Sequence, residues 1–475
     1  MSEATQLFAK RRHIYPRDVW GLYRRLKWLA MGVLLAIYYL VPWLRWDRGP
    51  HVPDQAILID MPARRAYFYF IEIWPQEVYY LTGLLILAAV GLFFVTSLFG
   101  RVWCGYACPQ TVWTDLFIKV EHFFQGDRNA RMKLDHAPWS FDKIWRKAAT
   151  HMTWLLIALG TGGAWVFYFN DAPTLADQIW HLQVPWSVLS WILGLTASTY
   201  IMAGFAREQV CTYMCPYARF QSAMFDKDTL IVSYDTARGE PRGPHKTGAS
   251  WDGRGDCIDC GLCVAVCPTG IDIRNGLQME CIACGLCVDA CNGVMDKIGR
   301  PHGLIRYDTA NNQTARSAAQ KSGQKFNDWL HLLRPRTFGY LAILGIVAGL
   351  MLAGLLTRTP QELHVIHDRN PLFVQLSAGG VRNNYTVKIL NKTHTDIDYN
   401  LTVLGVPQAV VKIEGAGTPD PEHLTVLADS VGQFRVLVTL PQIVGQPQRL
   451  DVIFEITDKR SGTGESVQTM FVVRE

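Results

Sequence analysis

The sequence predicts an integral membrane α-helical bundle of about five spans that carries a cysteine-rich insert and ends in an immunoglobulin-like β-sandwich. Three observations predict it. Residues 78–100, 148–170, 179–206 and 337–357 contain no Asp, Glu, Lys or Arg and are long enough to cross ~30 Å of hydrocarbon as helix. All 12 cysteines fall between Cys104 and Cys291. From 361 onward the chain changes to short alternating runs such as "YTVKIL" and "QFRVLVTL", separated by Gly, Pro, Asn and Asp.

A fifth apolar run, 28–44, is short and contains Pro42, but Trp43 and Trp46 give it an interfacial aromatic end. Lys and Arg set the orientation. The first 27 residues hold seven and residues 101–147 hold eight, whereas 171–184 hold none, so the basic stretches are expected on the cytoplasmic side of a bacterial inner membrane. Five spans then place the carboxyl-terminal domain in the periplasm. No cleavable signal peptide is expected, because the first apolar run follows a long basic leader. The net charge of +5 comes without a basic stripe, which argues against nucleic acid as a partner.

The expected plan is a basic leader (1–27) and a membrane domain (28–206) of two helical hairpins, each ending in Cys-x-x-x-Cys-Pro. A cytoplasmic region (207–336) with its cysteine module near 250–305, a last span (337–357) and the β-sandwich (358–475) follow. Two hairpins of equal sense read as a parallel internal repeat about the membrane normal. Residues 308–328 read as a polar linker, 235–253 as a loop, and the aromatic stretch 66–75 as an interfacial segment. The sandwich lacks the cysteine pair of antibody domains, so only its architecture is inferred.

"CIDCGLCVAVCP" and "CIACGLCVDAC" are two C-x2-C-x2-C-x3-C runs. This is the bacterial two-cluster ferredoxin pattern, in which three close thiolates hold one cubane and the fourth reaches the other. One [4Fe–4S] cluster is expected on Cys257, Cys260, Cys263 and Cys291, the second on Cys281, Cys284, Cys287 and Cys267. Zinc knuckles also pair cysteines, but they do not call for a third at the next x2 interval, twice. Asn292 stands where the second run would commonly have proline, and no ligand is lost. Structural disulfides are not expected in a reducing compartment.

"CGYACP" at Cys104 and Cys108 recurs as "CTYMCP" at Cys211 and Cys215. On a continuing helix the two thiols of each pair would share one face, ~5–6 Å apart at Cβ, with the proline kinking the helix after them. Soft thiolate pairs suit Cu(I), so these four are the expected catalytic copper site, the copper bound transiently. A third cluster on all four thiolates, or a dithiol redox pair, stays open. His122, His151 and His181 flank spans and are weak haem or copper candidates; Met202 and Met214 are read as packing. The "NKT" at Asn391 carries no weight as a glycosylation sequon.

The two Cys-x-x-x-Cys-Pro motifs, the two-cluster insert, the further span and the immunoglobulin-like end, in that order, resemble the RdxA/FixG/CcoG family, accessory proteins of the high-affinity cbb-type haem–copper cytochrome oxidase. The resemblance covers nearly the whole chain. It implies a metal-reductase role, Cu(II) to Cu(I) for oxidase assembly, with Cys104, Cys108, Cys211 and Cys215 matching the family's copper motif. Expected partners are oxidase assembly or copper-delivery proteins and a cytoplasmic or quinol electron donor; a homodimer is open. Two other readings compete. A membrane quinol dehydrogenase would pass electrons outward through the same clusters, and a non-catalytic scaffold would leave the eight-cysteine insert without a purpose.

Overall fold

The computed structural model describes residues 13–49, 52–245, 250–322, 334–377, 379–406, 408–414, 420–441 and 447–473. The first twelve residues of the basic leader and residues 323–328 of the expected linker lie outside them. The chain divides into two compact units, 1–44 with 55–351, and 45–54 with 352–475.

In the first unit, α1 (Leu22–Leu40) begins in the basic leader and ends in a short 3-10 turn containing Pro42. Strands β1 (Ile57–Asp60), β2 (Arg65–Phe68) and β3 (Ile71–Ile73) form an antiparallel sheet, so the aromatic stretch expected at an interface is strand. Tyr67 and Trp74 from it are buried. Helix α2 (Tyr79–Phe99) follows, then α3 (Val102–Tyr106), α4 (Pro109–Gln125) and α5 (Arg128–His136). The basic stretch 101–147 is therefore largely helical. Its charges were legible, but its helices bury a mixed polar face that hydropathy does not flag.

Helix α6 (Phe141–Val166) and α7 (Ala172–Trp180) lead to α8 (Trp186–Thr199), which runs on as a π-helix, Tyr200–Ala206. A second π segment, Val210–Met214, precedes α9 (Pro216–Met224). The expected span 179–206 is thus shorter, because Pro185 separates α7 from α8.

Strand β4 (Ile231–Tyr234) pairs antiparallel with β5 (Ile305–Asp308) and closes off the cysteine module between them. That module holds α10 (Thr236–Gly239), α11 (Leu262–Ala265) and α12 (Leu286–Ile298). Its core is Val232, Tyr234, Ile273, Val294, Met295 and Leu304, all buried. Asp256, almost fully buried, is neutralised by Arg238 and Arg300. Part of the expected linker is helix α13 (Ala310–Ser322), and α14 (Pro335–Leu356) follows.

Among the described residues, four helical segments are long and apolar enough to cross a membrane: Leu22–Trp43, Pro75–Phe99, Trp186–Ala206 and Pro335–Leu356. The protein is a membrane protein. α6 contains the remaining charge-free run, diluted by Thr150, His151, Thr153 and Thr161.

The second unit contains β6 (Gln361–His367), β7 (Val374–Gln375), β8 (Val381–Asn391), β9 (Ile397–Leu404), β10 (Val410–Glu414), β11 (Leu424–Val426), β12 (Ser430–Leu440), β13 (Arg449–Asp458) and β14 (Gly464–Val472). One sheet has the order β10-β12-β8-β6, with β7 also on β8; the other is β11-β9-β13-β14. Every pairing is antiparallel. Alternation puts Tyr385, Val387, Ile389, Tyr399, Val436, Phe454 and Phe471 between the sheets. Asn391 is fully buried and donates its amide to Thr395 O at 2.8 Å, which removes it as a glycosylation acceptor.

Candidate iron–sulfur and thiol site

The cysteine module repeats its own backbone. In Cys257-Ile-Asp-Cys260-Gly and Cys281-Ile-Ala-Cys284-Gly, the third and fifth residues have positive φ: Asp259 53°, Gly261 66°, Ala283 50° and Gly285 74°. Left-handed residues two apart curl each loop so that successive backbone N–H groups can face one concavity, the geometry that receives anions and cluster sulfurs.

One cavity is lined by Cys257, Cys260, Cys263 and Cys291, and a second by Cys263, Cys267, Cys281, Cys284 and Cys287. None of the twelve cysteines forms a disulfide. Among the described residues no three cysteine sulfurs lie within 4.8 Å of one another. A tetrahedral zinc ion with Zn–S near 2.3 Å would draw its sulfurs to about 3.8 Å. No trio of sulfurs is drawn to that spacing, and it is the two cysteine-lined cavities and the curled loops that suit a multi-atom cluster. Burial pushes Cys281 and Cys291 up to about 12 and Cys263 up to about 11, while backbone N–H groups of Ala283, Ile305 and Val264 pull the other way. Such thiols become thiolates when a cationic metal centre takes the place of their protons.

The Cys-x-x-x-Cys-Pro segments depart from the continuing helix that their spacing predicts. Each follows a reversal four residues before its first cysteine, Gly100 (φ 57, ψ −125) and Arg207 (φ 42, ψ −114). Each second cysteine is extended and caps a new helix, with Pro109 or Pro216 at its first position. Proline opens these helices instead of kinking a preceding one, since its missing N–H costs nothing there. In both, the second cysteine's N–H bonds the carbonyl five residues back, Cys108 to Trp103 and Cys215 to Val210, each at 2.8 Å. The 107-residue repeat in sequence is thus a repeat in backbone.

The repeats also reach into each other. Gln110 donates to Met202 O at 2.9 Å and Arg207 O at 3.2 Å, at the end of the second hairpin. Its counterpart Tyr217 meets Thr96 Oγ1 at 2.5 Å, at the end of the first. Burial, first, and then Cys108 and more weakly Cys211 hold the Cys104 thiol up to about 12; burial, Cys108 and Cys215 raise Cys211 to about 11. Cys104, Cys108 and Cys211 are close enough to feel one another's charge, and Cys215 acts on Cys211.

They also sit against the cysteine module. Cys104 packs on a cluster of Val266, Ile282, Cys284 and Leu286 and donates to Gln221 Oε1 at 3.3 Å. A Cβ on Gly105 would stand 2.8 Å from Ile282 O and 2.9 Å from Ala283 O, so this position tolerates no side chain. Tyr106 donates to Cys284 O at 3.1 Å. Buried Arg101 donates to Ala218 O at 2.6 Å, to Cys281 O at 3.3 Å and to Met279 O. A polar cavity lined by Lys27, Asp115, Arg207, Glu208, Cys211 and Thr269 adjoins the second pair.

Sequence reasoning missed Arg101, Gln221 and the buried charges that fix this region. Asp115 accepts from Arg24 at 2.9 and 3.1 Å and lies 3.5 Å from Lys27. Asp289, on α12, accepts the N–H groups of Tyr23 and Arg24 and so caps α1. An acid between two cysteines, as Asp289 is between Cys287 and Cys291, or a base inside a basic leader gives no signal of this kind in sequence. The histidines are engaged locally: His122 with Pro16 O, His151 with Tyr200 Oη and His181 with Asp177 O, each at 3.0 Å. Met202 accepts from Ser198 at 3.9 Å, and Met214 is exposed.

Three family models match the chain: a 4Fe-4S binding domain over residues 81–130, a 4Fe-4S dicluster domain over 206–310, and the Ig-like fold at the C-terminus of FixG over 351–474. Nitrogen fixation protein FixG of Rhizobium meliloti is 51% identical over 460 residues, covering 92% of this chain and 88% of that protein. Protein RdxB of Cereibacter sphaeroides is 50% identical over 417 residues, covering 87% and 86%. Protein RdxA of the same organism is 48% identical over 436 residues, covering 92% and 91%.

Proposed function

The chain belongs to the FixG/RdxA family and is an iron–sulfur redox protein of the membrane, and from that premise we propose that it reduces Cu(II) to Cu(I) for assembly of a cbb-type haem–copper oxidase. The observation that carries the reading is that Cys104 packs on Ile282 and Cys284 of the cluster loop, while Cys211 lines a cavity that also reaches Ile282. In this reading Cys257, Cys260, Cys263 and Cys291 hold one [4Fe–4S] cluster, and Cys281, Cys284, Cys287 and Cys267 the other. Such clusters supply single electrons at a tunable potential. Cys104, Cys108, Cys211 and Cys215 receive copper, and soft thiolate donors favour its monovalent state. Arg101 positions the first motif on the cluster loop through backbone carbonyls.

The proposed topology keeps five spans, counting α6, with the amino terminus and clusters on the cytoplasmic side of the bacterial inner membrane and the sandwich in the periplasm. The sandwich is then the surface offered to assembly or copper-delivery partners. The plan of leader, membrane domain, cytoplasmic region, last span and outer domain is kept as proposed, with boundaries near 27, 206, 336 and 357.

A second reading is favoured by a specific observation. The 4Fe-4S binding model over 81–130 contains only Cys104 and Cys108 as cysteines, which favours a third cluster on the four Cys-x-x-x-Cys-Pro thiols. The test of the copper reading is anaerobic: protein reduced with dithionite and freed of excess reductant is given Cu(II), and Cu(I) is trapped by a specific chelator. The wild type should yield about two Cu(I) per chain, one electron from each of two clusters, and a Cys104→Ala, Cys108→Ala double variant none. Equal yield from both would end the copper-site assignment.

A further inference from the structure

A redox wire needs a reductant, and one cavity in the first unit has the shape and chemistry to take it. It is an open groove of about 630 Å³ between α1 and the α2–α3 junction, within the usual volume range for a small-molecule site. Its shaft is apolar: Leu29 is 65% and Val33 50% exposed on the outer face of α1, with Phe99 opposite. Its inner end is different. Three tyrosines close it, Tyr23, Tyr106 and Tyr307, with the Tyr23 and Tyr307 rings 5.1 Å apart.

Two of these hydroxyls touch the cysteine loop. Tyr106 donates to Cys284 O at 3.1 Å and Tyr307 to Ala283 O at 2.5 Å. Each has spent its proton on a carbonyl, so what it offers a ligand is lone pairs. The matching ligand has an apolar tail, a head that donates O–H groups, and electrons to give. A lipid acyl chain fills the shaft but leaves the hydroxyl end unmatched; an oxidised quinone brings only acceptors and leaves the Tyr106 and Tyr307 oxygens unmatched, with Tyr23 alone to donate to it.

We propose that this cavity is a membrane quinol-binding site and the point at which electrons enter the protein. The inference deepens the proposed function by naming its electron donor. Oxidation breaks the two O–H bonds of the quinol and leaves a quinone, two electrons and two protons. The electrons pass one at a time to the cluster site of Cys267, Cys281, Cys284 and Cys287, and the protons go to water. At the other end two Cu(II) become two Cu(I), so the sum is quinol plus two Cu(II) giving quinone, two Cu(I) and two protons.

The test needs no copper. Full-length protein in lipid nanodiscs, with its clusters oxidised, is mixed anaerobically with decylubiquinol, and bleaching of the cluster absorption is followed. Wild type should be reduced, and Val33→Trp, which fills the shaft, should slow reduction by about tenfold or more. Tyr106→Phe, which removes one acceptor, should raise the quinol concentration that gives the half-maximal rate, while dithionite still titrates the same number of electrons in every variant. No reduction of the wild type by quinol, or equal rates in wild type and Val33→Trp, overturns the proposal and leaves the cavity to lipid tails. Because copper takes no part, failure of the copper reading would leave this result standing.

Discussion

The two Cys-x-x-x-Cys-Pro segments share a backbone but not a neighbourhood. The first is built into the cysteine module: Gly105 lies under two carbonyls of the Cys281–Cys284 loop, Tyr106 bonds Cys284 O, and Arg101 ties the loop to α9. The second is looser. It is wound as π-helix, Thr212 stands where the first has glycine, and Tyr213 and Met214 are 55% and 59% exposed. The difference teaches that the repeat supplies four thiols in similar backbone settings, whereas only one copy is fitted to the electron source.

That asymmetry can be broken at its largest contact first. Gly105→Val would drive a side chain into two backbone oxygens and should cost about 3 kcal/mol or more, with loss of the Cys281–Cys284 cluster. Thr212→Ala in the second copy gives up one bond to Glu208 O and should cost about 1 kcal/mol or less. Iron content and thermal unfolding of the two variants check this. Equal damage from both would remove the distinction between the copies.

A second contrast lies in the helices that the two prolines open. α4 is pinned by Asp115 between Arg24 and Lys27, and by Glu121 between Arg131 and Arg207. Asp115→Ala leaves two buried cations facing no partner and should destabilise the protein by about 3–5 kcal/mol, measurable by denaturant unfolding in detergent. Asp115→Asn should be milder, since it keeps the shape and one acceptor.

The thiols themselves give a smaller and sharper test. With metal removed, Cys104 sits near 12 and Cys211 near 11, both raised chiefly by burial. The reactive form is the thiolate, so raised values mean less of it at neutral pH. Alkylation at pH 8 should be slow at both, somewhat slower at Cys104 than at Cys211, and both rates should climb about tenfold per pH unit below their pKa values. Mass spectrometry of the labelled peptides at several pH values reads both rates. The least effect is expected from the reciprocal contacts: Tyr217→Phe loses the bond to Thr96, worth about 1 kcal/mol.

Much of this architecture could be read from the chain because it rests on patterns that physics makes periodic. Charge-free runs announced α2, α8 and α14, and alternation announced β8, β9, β12, β13 and β14. The edge strand β6 was missed because Gln361 and His367 take places on its inward face and Ile366 faces out, and β10 and β11 because they are short. The cysteine module was legible from spacing alone, since three thiols at x2 intervals serve few chemistries. The local form of the Cys-x-x-x-Cys-Pro segments was not. Spacing of four fits a helix, but Gly100 and Arg207 turn the chain before it, and proline starts the next helix. The strained Arg207 is held by Glu121, 86 residues away; no local pattern encodes such a partner.

The central claim, that the eight-cysteine module is the wire and the paired Cys-x-x-x-Cys-Pro thiols its terminus for copper, is tested most directly by iron and acid-labile sulfide in anaerobically purified protein, with and without Cys104 and Cys108. Two cubanes predict about eight of each per chain, unchanged in the Cys104→Ala, Cys108→Ala variant. About twelve in the wild type, falling to about eight in the variant, would contradict the copper terminus and make the repeated motif a third cluster.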